Sequence, residues 1–339
     1  MKMSSQNGST KTTLIVLVAL AVVAGLVWFY SSSGNDGQEK TLEFWHIMNY
    51  SPVQEVIDDA VARFEADHPD VKVVQNRIKN DSFKTKLEMA LGAGEPPDIF
   101  HTWGGGKLKD QADNGHVMPL DELFSDDAFS SRFAPAALDF AYVDDMPMCV
   151  PVDLSVVLLY YNKRVMADVG IAPPSTFEEL YAACKAIRDK GYIPLALGNK
   201  NRWPGCFYYV YGTARAEQGR QAVQQAAKGE PDAFSHDAFG NAGELISRLT
   251  SNDVNAFNKG FQGVGTADAR RLLMSDKAAM TLMGSWFIAN VKGEDESFLD
   301  QLGMAAFPKL SGTEDGAIVG GTNCAFTVSN KCEHPDAAK

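Results

Sequence analysis

Apolar residues follow two different periods in the first third of the chain. Thr41–Ile47 and Val71–Ile78 are short runs rich in β-branched and aromatic residues, which predicts two strands. Between them, Ser51-Pro52 marks a helix start and His68-Pro69 marks its end. The predicted helix carries one apolar stripe at helical spacing, made of Val53, Val56, Ile57, Ala60, Val61 and Phe64.

The pattern then repeats as a second helix and a third strand. Asp81 can cap this helix, and Gly92 and Gly94 can stop it. Its apolar face comprises Phe83, Leu87, Ala90 and Leu91. Asp98–Thr102 follows as a short strand that we expect to be buried. The order strand, helix, strand, helix, strand predicts an α/β fold with a parallel sheet covered by helices.

The second half of the chain continues with mixed elements. Val156–Tyr161 is a continuous apolar run and predicts a strand. Thr176 and Glu179 form a capping box, with Thr176 as the N-cap of a helix. Further helices and strands are predicted at Tyr192–Leu197, Ala214–Lys228, Asn241–Thr250, Ala267–Ser275, Lys277–Leu282, Leu302–Phe307 and Ala317–Val328.

The N-terminus has the layout of an export signal. Lys2 and Lys11 precede the apolar run Leu14–Tyr30, and a polar stretch follows it. We therefore predict a signal at residues 1–33, a linker at 34–40 and a periplasmic or extracellular location. The run at 14–30 is also long enough to span a bilayer, so an uncleaved membrane anchor remains open.

Composition and charge narrow the classes of function. The chain has 339 residues, which suggests two domains, and a net charge of −12, which argues against nucleic acid as a partner. Five cysteines stand at no metal-binding spacing, and the histidines are scattered, so we predict no metal site and no cofactor. Whether the cysteines form disulfides or are small core residues stays open. The final segment Pro335–Lys339 resembles a helix start, from which we expect that a C-terminal part is missing.

Several short segments together resemble the extracellular solute-binding proteins of carbohydrate ABC importers, of the maltose- and multiple-sugar-binding kind. Each match is weak alone, but all stand in the family's order. The matching segments are Glu95–Phe100, Val156–Lys163, Pro174–Leu180, Gly191–Gly198, Lys277–Trp286 and Gly320-Gly321. One departure is the absence of a lipid-attachment cysteine after the apolar run.

The resemblance implies a periplasmic-binding-protein-like fold with two α/β lobes, a hinge and an interlobe cleft. Lobe 1 would comprise residues 41–155 and 325–339, and lobe 2 residues 156–324. It further implies a monomeric, non-enzymatic receptor that captures a sugar or oligosaccharide and delivers it to the permease subunits of an ABC transporter by hinge closure. We expect the ligand to be a neutral saccharide.

Candidate binding residues are the aromatic and polar groups that sugars use. Trp103 and Trp203 stand in predicted loops, and Trp286 follows a predicted strand and matches the family's stacking tryptophan. Trp45 lies inside the first strand and is assigned to the core. Packing remains the alternative role for all three candidates.

Polar candidates lie near the same strand ends. Asp153 precedes the strand that would cross into lobe 2, where it could accept sugar hydroxyls or cap the hinge. His46 and Asn49 follow the first strand. Gly321, with Gly320 before it, could let backbone approach the ligand or could serve the hinge.

Two other classes of function stay open. A secreted carbohydrate-active enzyme would also expose tryptophans and carboxylates, but the sequence contains no hydrolase, zinc-protease or P-loop motif. A receptor of the same fold for a non-sugar solute is the other alternative.

Overall fold

The computed structural model describes residues 39–49, 53–310 and 318–339. The predicted export signal therefore lies outside the described residues. The strands are β1 (Lys40–His46), β2 (Val71–Arg77), β3 (Ile99–Thr102), β4 (Tyr142–Val143), β5 (Met146–Pro147), β6 (Val150–Pro151), β7 (Ser155–Asn162), β8 (Ile193–Leu195), β9 (Ala278–Gly284), β10 (Leu302–Ala305), β11 (Gly320–Gly321) and β12 (Ala325–Val328).

Helices connect most of these strands. They are α1 (Val53–Asp67), α2 (Asn80–Ala93), α3 (Gly105–Asp113), α4 (Asp121–Phe124), α5 (Asp127–Ser130), α6 (Pro135–Leu138), α7 (Lys163–Val169), α8 (Phe177–Asp189), α9 (Trp203–Ala214), α10 (Gly219–Ala227), α11 (Asp237–Thr250), α12 (Thr266–Met274), α13 (Trp286–Glu294) and α14 (Pro335–Ala338). Within the described residues, no helix combines the length and apolar composition that a membrane span requires.

Two five-stranded sheets organise the chain into two lobes. The sheet of lobe 1 has the order β2-β1-β3-β12-β6. Its first three strands are parallel, as predicted, and β12 returns antiparallel to β3. The sheet of lobe 2 has the order β10-β7-β9-β8, with β11 also paired to β7. The chain is thus an α/β fold with two mixed sheets, and the later strand β12 completes the sheet that the first strands begin.

Each lobe has its own apolar core. In lobe 2, β7 and β9 are covered by α8 and α9, with Leu159, Leu180, Tyr211 and Met280 fully buried among them. In lobe 1, α2 packs Phe83, Leu87 and Leu91 into a cluster that includes Phe100 of β3. This is the face that the sequence predicts for α2.

The apolar stripe of α1 has a different environment. None of the residues of α1 is fully buried, and Val56 is 63% exposed. Instead, the Asp58 carboxylate accepts hydrogen bonds from the side chains of Gln75 and Arg77 on β2. The predicted helix is therefore observed, with Val53, Ile57, Val61 and Phe64 of its stripe half-buried, and polar bonds to the edge strand help to attach it.

Local signals set several helix boundaries. The Thr176 hydroxyl accepts the Glu179 N–H at 3.2 Å, which confirms the predicted N-cap of α8. The Glu179 carboxylate in turn accepts the backbone N–H of Ser175 at 2.7 Å. By contrast, Asp81 does not cap α2, because the N-cap position is Lys79. The helix predicted at Ala214–Lys228 begins later than expected, since α9 runs to Ala214 and α10 begins at Gly219.

All five cysteines lie in the described part of the chain, and all are free thiols. Cys149, Cys184 and Cys324 are buried, whereas Cys206 is exposed. Burial raises the pKa of Cys149 and of Cys184 to about 12, and it raises the pKa of Cys324 further. The buried cysteines therefore behave as small core residues.

Candidate functional site: the interlobe cleft

A large cavity lies between the two lobes. Its volume is about 640 Å³, which is in the middle of the range for small-molecule sites. Lobe 1 contributes the residues after β1, the start of α2 and the loop after β3. Lobe 2 contributes the starts of α9 and α13. Residues 319–323, around β11, also line the cavity. Most of these elements meet the cavity at strand ends, where open α/β sheets bind ligands.

The wall from lobe 2 is aromatic. Trp203, Phe207 and Trp286 all line the cavity, and their ring centroids lie 5.7 to 6.2 Å apart. The sequence places Trp203 in a loop, but it is the first residue of α9, where Pro204 fits the first helical turn. The strand β9 ends at Gly284 and α13 begins at Trp286, so the predicted position of Trp286 at a strand end is observed.

The wall from lobe 1 carries one indole. Trp103 follows β3 and lines the cavity. The His101 ring holds it edge-on at 4.6 Å and the Phe83 ring at 5.9 Å. The Nζ of Lys84 lies 4.8 Å from its ring centroid. Neighbouring rings and one ammonium group thus fix the orientation of the Trp103 side chain.

The loop after Trp103 depends on glycine. Gly104 has a φ of +64°, and a Cβ there would lie 2.6 Å from the Phe140 carbonyl oxygen. The next residue, Gly105, donates its N–H to that same carbonyl at 3.1 Å. A larger residue at position 104 would clash with the Phe140 backbone and displace this loop.

The hinge consists of the two described segments that cross between the sheets. One joins β6 to β7, and the other joins β11 to β12. Gly321, a predicted site residue, lines the cavity there. The adjacent Gly320 packs so closely that a Cβ would lie 2.7 Å from the Ser155 carbonyl oxygen. The glycines therefore allow the two crossing segments to lie against each other.

Asp153 lies in the first crossing segment and binds the second. Its Oδ1 accepts the backbone N–H groups of Asn323 and Cys324, each at 2.8 Å. Its Oδ2 accepts the hydroxyl of Ser155 at 3.1 Å. Asp153 is not among the residues that line the cavity. Of the two roles that the sequence leaves open for it, this geometry favours the hinge over ligand contact.

The structure separates the two polar candidates after β1. Asn49 lines the cavity. His46 is fully buried behind the wall, with its Nε2 3.1 Å from Gln75 Oε1, and its Nδ1 accepts the Met48 N–H at 3.2 Å. Burial lowers the pKa of His46. His46 therefore supports the loop that presents Asn49 and does not itself reach the cavity.

Other cavity residues are absent from the sequence prediction. Lys79, Lys84, Arg270 and Asn290 line the cleft, and Asp81 lies with them. The Asp81 carboxylate accepts a hydrogen bond from the Asn201 side chain of lobe 2, so it links the lobes across the cleft. These residues stand on helices or, for Lys79, at a helix N-cap, and only the assembled lobes show that they face a common space.

Proteins with known sequences match most of the chain. It is 24% identical over 332 residues to an uncharacterized ABC transporter extracellular-binding protein of Pyrococcus horikoshii, covering 96% of this chain and 72% of the relative. It is 22% identical over 328 residues to the multiple sugar-binding protein of Streptococcus mutans, covering 96% and 75%. This chain thus spans about three quarters of the length of these relatives.

Solved structures show the same fold. A structure from work on xylan utilization by the thermophilic bacterium Caldanaerobius polysaccharolyticus superposes with a TM-score of 0.80 at 30% identity, covering 88% of this chain and 76% of that one. A chitin oligosaccharide binding protein superposes with a TM-score of 0.76 at 25% identity, covering 88% and 73%.

The family profile covers both lobes. The profile of bacterial extracellular solute-binding proteins matches residues 46–339, which include every strand and helix described above except the first residues of β1. This chain belongs to the bacterial extracellular solute-binding protein family, the non-enzymatic binding proteins of ABC transporters.

Proposed function

We propose that this protein captures a mono- or oligosaccharide in the interlobe cleft and delivers it to the permease subunits of an ABC importer. The observation that carries the proposal is the convergence of Trp103, Trp203 and Trp286 on one cavity from both lobes. Indole faces suit the flat apolar faces of sugar rings, and the amides of Asn49 and Asn290 in the same walls suit hydroxyl groups.

The two-lobed design supports capture by closure. Trp103 belongs to lobe 1, whereas Trp203 and Trp286 belong to lobe 2. A ligand that contacts both walls favours the closed arrangement, because it binds that arrangement better than the open one. Asp153 and the glycines at the hinge hold the two crossing segments together, so the lobes can rotate without separating.

The named relatives add a second line of support. One relative is named for binding multiple sugars, and one similar structure is of a chitin oligosaccharide binding protein. A third comes from work on xylan utilization. At 22 to 30% identity these names support saccharides as a ligand class and do not specify which sugar.

A saccharide screen tests the proposal. The protein is melted in the presence of a panel of mono- and oligosaccharides, and each stabilising sugar is then incubated with the protein and analysed by chromatography. We expect at least one sugar to raise the melting temperature, because a ligand that binds only the folded state stabilises it. We also expect that sugar to be recovered intact. Failure of every saccharide, or release of cleavage products, would contradict the proposal.

A further inference from the structure

The charge of the cleft wall is opposite to that of the whole protein. Four charged residues line the cavity, and three of them are basic: Lys79, Lys84 and Arg270. The fourth is Asp81. The chain as a whole carries a net charge of −12. The average composition of the chain predicts an acidic cavity wall. The excess of basic residues there therefore points to a specific role for them.

One of these four charges is paired, and a second accepts a hydrogen bond from a neutral amide. The guanidinium of Arg270 donates to the Glu294 carboxylate at 2.8 to 2.9 Å. The Asp81 carboxylate accepts the amide of Asn201 from the opposite lobe. The Arg270 charge is therefore paired, whereas the neutral amide of Asn201 leaves the negative charge of Asp81 in the wall. With the two lysines beside Asp81, the unpaired charge that faces a ligand is still positive on balance.

Lys84 is the lysine best placed to meet a ligand. It is half-buried in the wall, and its ammonium lies 4.8 Å from the ring centroid of Trp103. The carboxylates of Asp81 and Glu88 lie close enough to favour the charged form of Lys84. Glu88 accepts a hydrogen bond from Lys107 at 3.3 Å. Among the described residues, no carboxylate forms an ion pair with Lys84.

Burial of this ammonium carries a free-energy cost that the described wall offsets only in part, since the nearby Asp81 and Glu88 carboxylates favour the charged form without forming an ion pair with it. Loss of solvation lowers the pKa of Lys84, which shows that its environment disfavours the charged form. The aromatic face of Trp103 compensates only in part, since a cation–π contact is worth less than a charge-assisted hydrogen bond. An anionic group of a ligand at this position would complete the site.

We propose, building on the carbohydrate-binding function above, that the saccharide ligand carries an anionic group, either the carboxylate of a uronate or a phosphate, and that Lys84 binds this group. Because Lys84 lies against Trp103, the anion and the stacked sugar ring meet the protein at the same place. This ligand class differs from the neutral saccharide that the sequence predicts. The sequence does not show that Lys84 and Trp103 share one cavity wall.

Paired titrations test the inference. Glucose, glucuronate and glucose 1-phosphate, together with disaccharides with and without a terminal uronate, are titrated calorimetrically into wild-type protein and into Lys84→Met and Lys84→Arg. Lys86→Met is the matched control, because Lys86 stands on the same helix, is exposed and does not line the cavity. Inorganic phosphate serves as the anion without a sugar.

We expect wild-type protein to bind a charged saccharide at least tenfold more tightly than its neutral partner. In Lys84→Met, the ratio of the two affinities should fall about tenfold, as expected for the loss of one charge-assisted hydrogen bond. Lys84→Arg and Lys86→Met should keep it. The preference should also fall as ionic strength rises from about 0.01 M to about 0.3 M. The uronate and phosphate arms show which anion the cleft takes.

Several outcomes would overturn the inference. Equal or tighter binding of the neutral sugar, or an equal loss for both sugars in Lys84→Met, would mean that Lys84 only packs against Trp103. The proposed carbohydrate function would survive that result. Binding of inorganic phosphate with no saccharide bound would instead contradict the carbohydrate function, and binding of neither class would contradict both.

Discussion

The indole of Trp286 lies directly against the backbone of Gly284. A Cβ on Gly284 would stand 2.1 Å from two carbons of the ring, a distance that real Cβ atoms do not show. Gly284 is the last residue of β9, and Trp286 begins α13. The absence of a side chain at position 284 therefore lets the indole fold back over the strand end and form part of the cavity wall.

Gly284→Ala should move the indole and weaken ligand binding. We expect an affinity loss on the order of ten- to a hundredfold, because a displaced aromatic anchor loses much of its contribution. Gly303→Ala is the matched control, since a Cβ there would also stand 2.1 Å from a ring, that of Tyr161, which does not line the cavity. It should lower the melting temperature and leave affinity unchanged. Equal affinity losses in both variants would contradict the assignment.

Asp153 should matter for stability more than for ligand contact. Asp153→Ala leaves the N–H groups of Asn323 and Cys324 without their acceptor, which should cost about 1–3 kcal/mol of unfolding free energy. Asp153→Asn keeps one acceptor oxygen and should cost less. Denaturant unfolding measures both effects. Unchanged stability combined with lost affinity would restore the ligand-contact role that the sequence leaves open.

Cys206 should report ligand binding through its reactivity. It is the exposed cysteine and it lines the cleft, whereas burial raises the pKa of Cys149 and Cys184 to about 12 and keeps those thiols protonated. We expect a thiol reagent to label native protein chiefly at Cys206, and a saturating saccharide to slow the labelling. Cys206→Ser should remove this fast phase. A labelling rate that saccharide does not change would argue against ligand occupancy beside α9.

His101 should make the folded state sensitive to acid. Burial lowers the pKa of His101 to about 3, so the folded protein holds it neutral while the unfolded chain binds a proton near the ordinary histidine value. The unfolded state therefore gains protons first as pH falls, and stability decreases below the ordinary histidine pKa. The loss should reach about 2 kcal/mol within ~1.5 pH units. Burial lowers the pKa of His46 as well, which acts in the same direction.

His101→Gln should flatten this pH dependence. The variant removes the titrating ring but leaves the contribution of His46, so the slope of unfolding free energy against pH should decrease without vanishing. Denaturant unfolding at several pH values between neutral and mildly acidic measures the slope. An identical slope in wild type and variant would show that His101 does not titrate on unfolding.

The sequence predicts elements whose signals are local. The three parallel strands of lobe 1 and the N-cap Thr176 follow from residues close together in the chain. The position of Trp286 after a strand is local in the same sense. These predictions agree with the folded structure because backbone geometry and neighbouring side chains determine such elements.

Long-range relationships were not predictable in this way. Asp153 is bonded to residues 170 and 171 positions further along the chain, and Asp81 to a residue 120 positions away. The apolar stripe of α1 correctly predicts a helix, but its spacing shows neither that the stripe is only half-buried nor that polar bonds join the helix to β2. Lys84 has no distinguishing sequence context, and only the fold places it against Trp103.

Trp286→Ala provides the most direct test of the cleft as a saccharide site. Affinity is measured by calorimetry with the saccharide that stabilises wild-type protein most, and melting is measured on the same preparation. We expect affinity to fall by roughly 30- to 1000-fold, the equivalent of losing about 2–4 kcal/mol from one aromatic anchor, with a nearly normal melting temperature. Normal affinity with unfolding free energy lowered by about 3–5 kcal/mol would instead show that Trp286 is a packing residue and that the cleft does not bind sugar through it.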